Sequence, residues 1–116
     1  MAAVAAGASP EPGPATVAAW MAHARELEPA SVDGVSYGMP ALLYRGKPLV
    51  AVAQTAAGYS VYPFSGAVVA AVAPLLGDLK RSKGAIAFTD AHPLPREAFD
   101  ELVRTRRAEI DASLDG

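Results

Sequence analysis

Apolar residues first become periodic at Val17, Trp20, Met21, Ala24 and Leu27, spaced i, i+3, i+4, i+7 and i+10. That spacing draws one face of a helix, predicted over about 15–27. Pro29 and the Ser31-Asp33-Gly34 cluster stop it. Trp20 sits mid-stripe and is expected to anchor the core, while His23 lies off the stripe and reads as solvated.

The period then shortens. Met39 to Tyr44 is a short apolar run, and Arg45-Gly46 is a two-residue turn signal because Gly supplies a positive φ. Leu49 to Thr55 continues as a second strand, and Ala56-Ala57-Gly58 closes a second hairpin. Tyr59, Val61 and Pro63 alternate with Ser60, Tyr62 and Phe64 up to Pro63, which cannot donate to a ladder and so ends the strand or marks an edge.

Ser65 reads as an N-cap for a nearly all-apolar helical segment over 65–76. Pro74 should interrupt that segment, and Gly77 should cap it. A basic loop, Asp78 to Gly84, precedes a short strand from Ala85 to Phe88. Phe99, Leu102, Val103, Arg106 and Ile110 form the stripe of a closing helix over about 95–112. The order helix, three strands, helix, strand, helix predicts an α+β fold. Its sheet is mainly antiparallel, four- to five-stranded, with helices packed on one face.

Composition narrows the picture. A chain of 116 residues makes one domain, expected over 15–113, with an Ala/Gly/Pro-rich leader at 1–14 and a frayed tail at 114–116. The formal charge of −2 argues against a general nucleic-acid binder. With no cysteine there is no disulfide, thiolate or Cys-metal chemistry. No run reaches the roughly 20 apolar residues of a membrane helix, and the leader lacks a signal-peptide pattern, so a cytoplasmic location is expected. Only 19% of residues are charged, which makes the apolar helix after Ser65 a candidate homodimer face.

Four motifs carry a resemblance: Tyr37-Gly38-Met39-Pro40-Ala41, Tyr44-Arg45-Gly46-Lys47-Pro48-Leu49, Tyr62-Pro63, and Lys80 through Phe88. In that order they resemble the YdhG-like family, a domain of unknown function that includes frataxin-like iron chaperones. The resemblance implies a small cytoplasmic α+β domain, and for one branch of the family it implies iron handling.

Two constellations carry candidate chemistry. Tyr37, Met39, Tyr44, Lys47, Tyr62, Lys80, Ser82 and Lys83 combine aromatic walls with cationic and hydroxyl donors, a set suited to a small anionic ligand. Glu97, Asp100 and Glu101 fall at i, i+3 and i+4 and set three carboxylates on one helix face, a set suited to a hard cation such as iron. The same residues also serve simpler ends, since first-turn acids complement the helix dipole and Asp100 can pair with Arg104. No serine has a His or Asp near it in a recognised arrangement, so no catalytic residue is expected and a non-enzymatic binding role is.

Overall fold

The computed structural model describes residues 13–116. Helix α1 spans Pro14–Leu27. Strands β1 to β4 follow at Val32–Ser36, Met39–Tyr44, Lys47–Gln54 and Tyr59–Tyr62. Helix α2, Gly66–Val72, tightens into a 3-10 turn at Ala73–Leu75, where Pro74 removes an amide donor. Strand β5, Ile86–Phe88, and helix α3, Arg96–Asp115, complete the chain. The strands form one five-stranded sheet in the order β1-β2-β3-β4-β5, antiparallel throughout. This is the α+β class predicted above. Among the described residues no helix is long and apolar enough to cross a membrane.

Two turns of the same kind organise the sheet. Tyr37-Gly38 has φ values of 52° and 76°, and Arg45-Gly46 has 52° and 81°. A two-residue hairpin turn with both φ angles positive matches the right-handed strand twist, and glycine takes its second position without a steric cost. The first turn creates β1, a strand absent from the sequence reading. Helix α1 ends at Leu27, just before Pro29, and Asp33 and Gly34 of the expected stop cluster lie within β1, which the chain enters at Val32. The overlooked signal was the second aromatic-or-charged residue followed by Gly, the same pattern as Arg45-Gly46. Gly34 suits its place because a Cβ there would stand 2.6 Å from Leu43 Cδ1.

The ends of the chain also differ from expectation. Most of the expected leader, residues 1–12, lies outside the described residues, but Gly13 and Pro14 belong to the folded unit. Pro14 opens α1, a position where its missing N–H costs nothing, and the Gly13 N–H donates to the Tyr59 hydroxyl at 3.0 Å. The closing helix does not fray at Asp111 or at 114 but runs to Asp115.

Strand alternation then sorts the side chains. Leu42, Tyr44, Val50, Val52, Tyr59, Val61, Ile86 and Phe88 are buried and belong to one apolar cluster with all three helices. Helix α1 contributes Met21 and Ala24, α2 contributes its three valines, and α3 contributes Ala98, Phe99, Leu102, Val103 and Ile110. Trp20 closes the junction, with its ring centroid 4.6 Å from Phe99 and 6.1 Å from Phe88. Ala51, Ala53, Ser60 and Ala87 alternate with these residues along the strands, and they are small. Strand β5 pairs with β4 although α2 lies between them in sequence.

Two substitutions measure this framework. Phe99 is fully buried, so Phe99→Ala should lower stability by about 3–5 kcal/mol in urea unfolding. Ser65 accepts the Val68 N–H at 3.3 Å as the expected cap, so Ser65→Ala should cost about 1 kcal/mol with an unchanged urea dependence.

Candidate functional site

An open cleft of about 620 Å³ lies where the beginnings of β2 and β3, the end of β4, the start of α2 and the loop before β5 meet. Its walls include Tyr37, Met39, Pro48, Tyr62, Phe64, Lys83 and Arg106. Tyr37 stacks on Phe64 with centroids 6.0 Å apart and ring planes 13° from parallel. Phe64 itself has φ of 59°, because the chain turns sharply there between β4 and the α2 cap. Tyr37 is 88% exposed, so the stack presents an aromatic face to the solvent.

The cleft's charges differ in kind. Arg106 is largely buried, with its side chain 14% exposed. Its Nε donates to the Pro48 carbonyl at 3.0 Å and its Nη1 to Glu109 Oε1 at 2.6 Å. The Ser65 hydroxyl donates to the other oxygen of Glu109 at 2.8 Å. Arg106 therefore braces β3, α2 and α3 together, with its charge compensated. Lys83 is exposed and has no ion-pair or hydrogen-bond partner among the described residues. Its backbone is held: a Cβ on Gly66 would stand 3.1 Å from the Lys83 carbonyl oxygen, so the absence of a side chain lets the loop abut α2. The loop is a small hairpin of its own, with Ala87 N–H donating to Lys80 O at 2.8 Å and Ser82 N–H to Ala85 O at 2.9 Å. A Cβ on Gly84 would meet nothing within 4 Å, so the backbone there is open on that side.

The eight residues proposed from sequence divide accordingly. Tyr37, Met39, Tyr62 and Lys83 line the cleft together. Lys47 lines an adjoining depression of about 430 Å³ that shares Phe64, Ser65 and Arg106 with it. Lys80 belongs elsewhere, to a third depression of about 790 Å³ with Tyr59, Leu79, Phe88 and His92. Ser82 is exposed and lines none of these three depressions. Tyr44 is a correction too. It lies an odd number of residues from Met39 on β2, so its side chain takes the opposite face, where its hydroxyl donates to Asp111 Oδ1 at 2.8 Å. Phe64, Pro48 and Arg106 were missed. The one available signal was Arg106, a charged residue within an otherwise apolar helical stripe.

The carboxylate ridge does not assemble as a metal site. Asp100 turns toward α1, where Oδ1 lies 2.6 Å from His23 Nε2. Glu101 accepts from Arg104 at 3.0 Å and from the Thr105 hydroxyl at 3.2 Å, so Arg104 pairs with Glu101 rather than with Asp100 as expected. Glu97 is exposed on the first turn of α3. Among the described residues no three His, Asp or Glu side chains are grouped to hold a metal ion. His23 was misread as solvated: its side chain is only 13% exposed and packs beside Trp20 and Phe99. Its Nδ1 lies 3.0 Å from Arg96 Nη2. A guanidinium only donates, so Nδ1 accepts and the ring proton sits on Nε2, directed at Asp100. Asp90 accepts from the Tyr59 and Thr16 hydroxyls at 2.7 and 3.1 Å.

No family model matches the sequence, and no curated protein matches it. A solved structure does match. It is a protein from the DUF1801 family of Bacillus subtilis, YdhG, with a TM-score of 0.70 over 79% of this chain and 74% of that one. The chain has the YdhG fold. Sequence identity is 11%, so the likeness establishes the architecture and carries no ligand or activity across. The fold implied by the four motifs is thereby met, whereas nothing in this likeness bears on frataxin-like iron handling.

The last turns of α3 are tied down by charge. Arg45, at the β2–β3 turn, donates to Asp111 at 2.9 Å and to both oxygens of Asp115 at 2.9 and 3.1 Å. These hydrogen bonds hold both carboxyls below the usual aspartate range, with the Tyr44 hydroxyl adding to the effect at Asp111. Nearby, Arg107 lies 5.5 Å over the Tyr44 ring and donates Nε–H to its hydroxyl at 3.3 Å. Glu28, 4% exposed, brings Oε1 to 2.8 Å from the same Nε. That proton points at Tyr44, so the Glu28 contact is Coulombic rather than an aligned hydrogen bond.

Because the folded Asp111 and Asp115 carboxyls titrate below their unfolded values, their contribution is complete above the unfolded pKa of about 3.9. It is lost as pH falls through the lower folded values. The stability difference between the parent chain and Arg45→Met should therefore be constant near neutrality and shrink below about pH 4. Molar salt should also reduce it, since these groups are solvent-exposed. Urea unfolding across pH 2–7 makes the comparison.

Proposed function

We propose that this chain is a non-enzymatic binding domain whose cleft takes a small ligand with an anionic group and a flat apolar body. The observation that carries the reading is Lys83, an unpartnered cation on a braced loop, set in one cleft with the exposed Tyr37–Phe64 stack. Arg106 adds to it. Its Nε and Nη1 are committed to Pro48 and Glu109, while its Nη2 has no partner among the described residues. In a chain of net charge −2, an uncompensated lysine beside aromatic rings, with the Arg106 Nη2 as a further donor, favours an anion at that place and not along the whole surface. The proposal keeps the cytoplasmic setting expected from the sequence. The rival reading, iron held by Glu97, Asp100 and Glu101, draws no support from side chains already divided among His23, Arg104 and solvent.

Titration with phenyl phosphate and benzoate, followed by amide NMR shifts, tests the cleft. Amides of residues 64–66 and 82–85 should move together, and inorganic phosphate should move them less. Lys83→Ala should weaken phenyl phosphate by roughly 1.5–3 kcal/mol, the scale of a hydrogen bond between charged groups, and leave the unfolding temperature nearly unchanged. Shifts elsewhere, or equal affinity in Lys83→Ala, would refute the cleft. Anaerobic ferrous titration should leave the amides of 97–101 in place, and a saturable movement there would restore the iron reading.

A further inference from the structure

The two edges of the sheet are treated differently. Beyond β5, the Lys80–Arg81 segment adds an antiparallel bridge, Arg81 to Ile86, so that edge is partly covered and carries cations. Among the described residues strand β1 has no neighbour beyond it, and within Val32–Ser36 it has no proline and a single charged residue, Asp33. Nor does its ladder with β2 contain a bulge. Val32 and Val35, 59% and 69% exposed, are two of the most exposed large apolar residues of the domain. Natural sheets usually blunt such an edge with charge, proline or a bulge.

The ladder shows which backbone groups are free. The Tyr37-Gly38 turn makes Ser36 and Met39 a hydrogen-bonded pair, and pairs along an antiparallel ladder alternate. Val32, Gly34 and Ser36 therefore spend their N–H and C=O groups on β2, while those of Asp33 and Val35 point away from the sheet. Pro40 fits this alternation, since it stands opposite Val35, where no inward donor is needed.

We propose that β1 pairs antiparallel with β1 of a second copy about a two-fold axis through Gly34. Asp33 then faces Val35 of the other copy, and Val35 faces its Asp33, so the outward groups of both strands are paired. Gly34 faces Gly34 at the non-hydrogen-bonded position, where the backbones come closest and no side chains collide. Val32 faces Ser36. The other registers that pair outward groups are poorer. An axis at Asp33 sets two carboxylates opposite each other, which is repulsive. An axis at Val35 would need Tyr37, whose φ of 52° takes it out of the strand. The Gly34 axis alone uses the full strand and separates the aspartates, each of which is also paired with its own Arg25 at 2.8 Å. Five-residue strands cover less than the roughly 1,000 Å² of a stable interface, so the dimer is a weak, reversible one.

Sedimentation equilibrium and concentration-dependent amide NMR on the full chain, from tens of micromolar to about a millimolar, test this. The mass should rise toward the dimer, and the amides of Asp33 and Val35 should shift and gain exchange protection while those of Val32, Gly34 and Ser36 stay constant. Val35→Glu places a carboxylate opposite Asp33 twice per dimer and should weaken association by about tenfold. Val35→Lys places a cation there and should preserve or strengthen it at low salt. Position 35 is exposed, so both variants should keep the parent's dispersed spectrum. A chain that stays monomeric to a millimolar overturns the proposal. So does association whose shifts fall on the exposed alanine face of α2, or equal weakening by Val35→Glu and Val35→Lys.

Discussion

The alternation set by two positive-φ turns is the constraint on which the rest of the structure depends. Tyr37-Gly38 and Arg45-Gly46 each reverse the chain in two residues, and a two-residue reversal leaves no freedom of register. Once β2 is placed, every second side chain on it faces the helices and the others do not. Leu42 and Tyr44 enter the core, and Met39 goes to the cleft. A slip by one residue would exchange those sets, burying Met39 and exposing Tyr44. The single irregularity on β2, the register shift between Leu42 and Leu43 against β3, lies near where Pro48 enters the cleft wall.

Helix α3 is then held to this sheet by a few polar contacts around a large apolar one. Phe99, Leu102, Val103 and Ile110 supply most of the attachment, since apolar area removed from water is worth about 25 cal/mol per Å². The polar contacts decide position more than strength. His23–Asp100 fixes the start of α3 against α1, Arg106 fixes its middle to the Pro48 carbonyl, and Arg45 fixes its last turn. Exposed ion pairs contribute little energy, but each of these bonds groups far apart in sequence and so restricts how the helix can slide. The cleft benefits from the middle tie in particular, because Arg106 holds β3 and, through Glu109, the Ser65 cap of α2 in one arrangement.

Much of this was legible in the chain itself. The helical stripes, the Arg45-Gly46 and Gly58 hairpins, the Ser65 cap and the Pro74 interruption are local facts: each depends on residues within a few positions of one another, through side-chain period, φ preference or a missing donor. The α+β architecture followed from their order. Half of the proposed ligand set lines one cleft, and Tyr37, Met39 and Tyr62 do so because they stand near turns or strand ends whose direction the local pattern specifies.

Tertiary structure decided the partnerships. His23 and Asp100 are separated by 77 positions, and Tyr44 and Asp111 by 67. No period or spacing links them, because a hydrogen bond requires proximity in space and that arises only after α1, the sheet and α3 have packed. The same packing turned Asp100 away from Glu101 and Glu97, drew Arg106 into the cleft wall, and left Lys83 there without a counter-charge among the described residues. Residue type and spacing determine which face of an element a side chain occupies. Which charge it meets there is settled by the neighbours that face receives on folding.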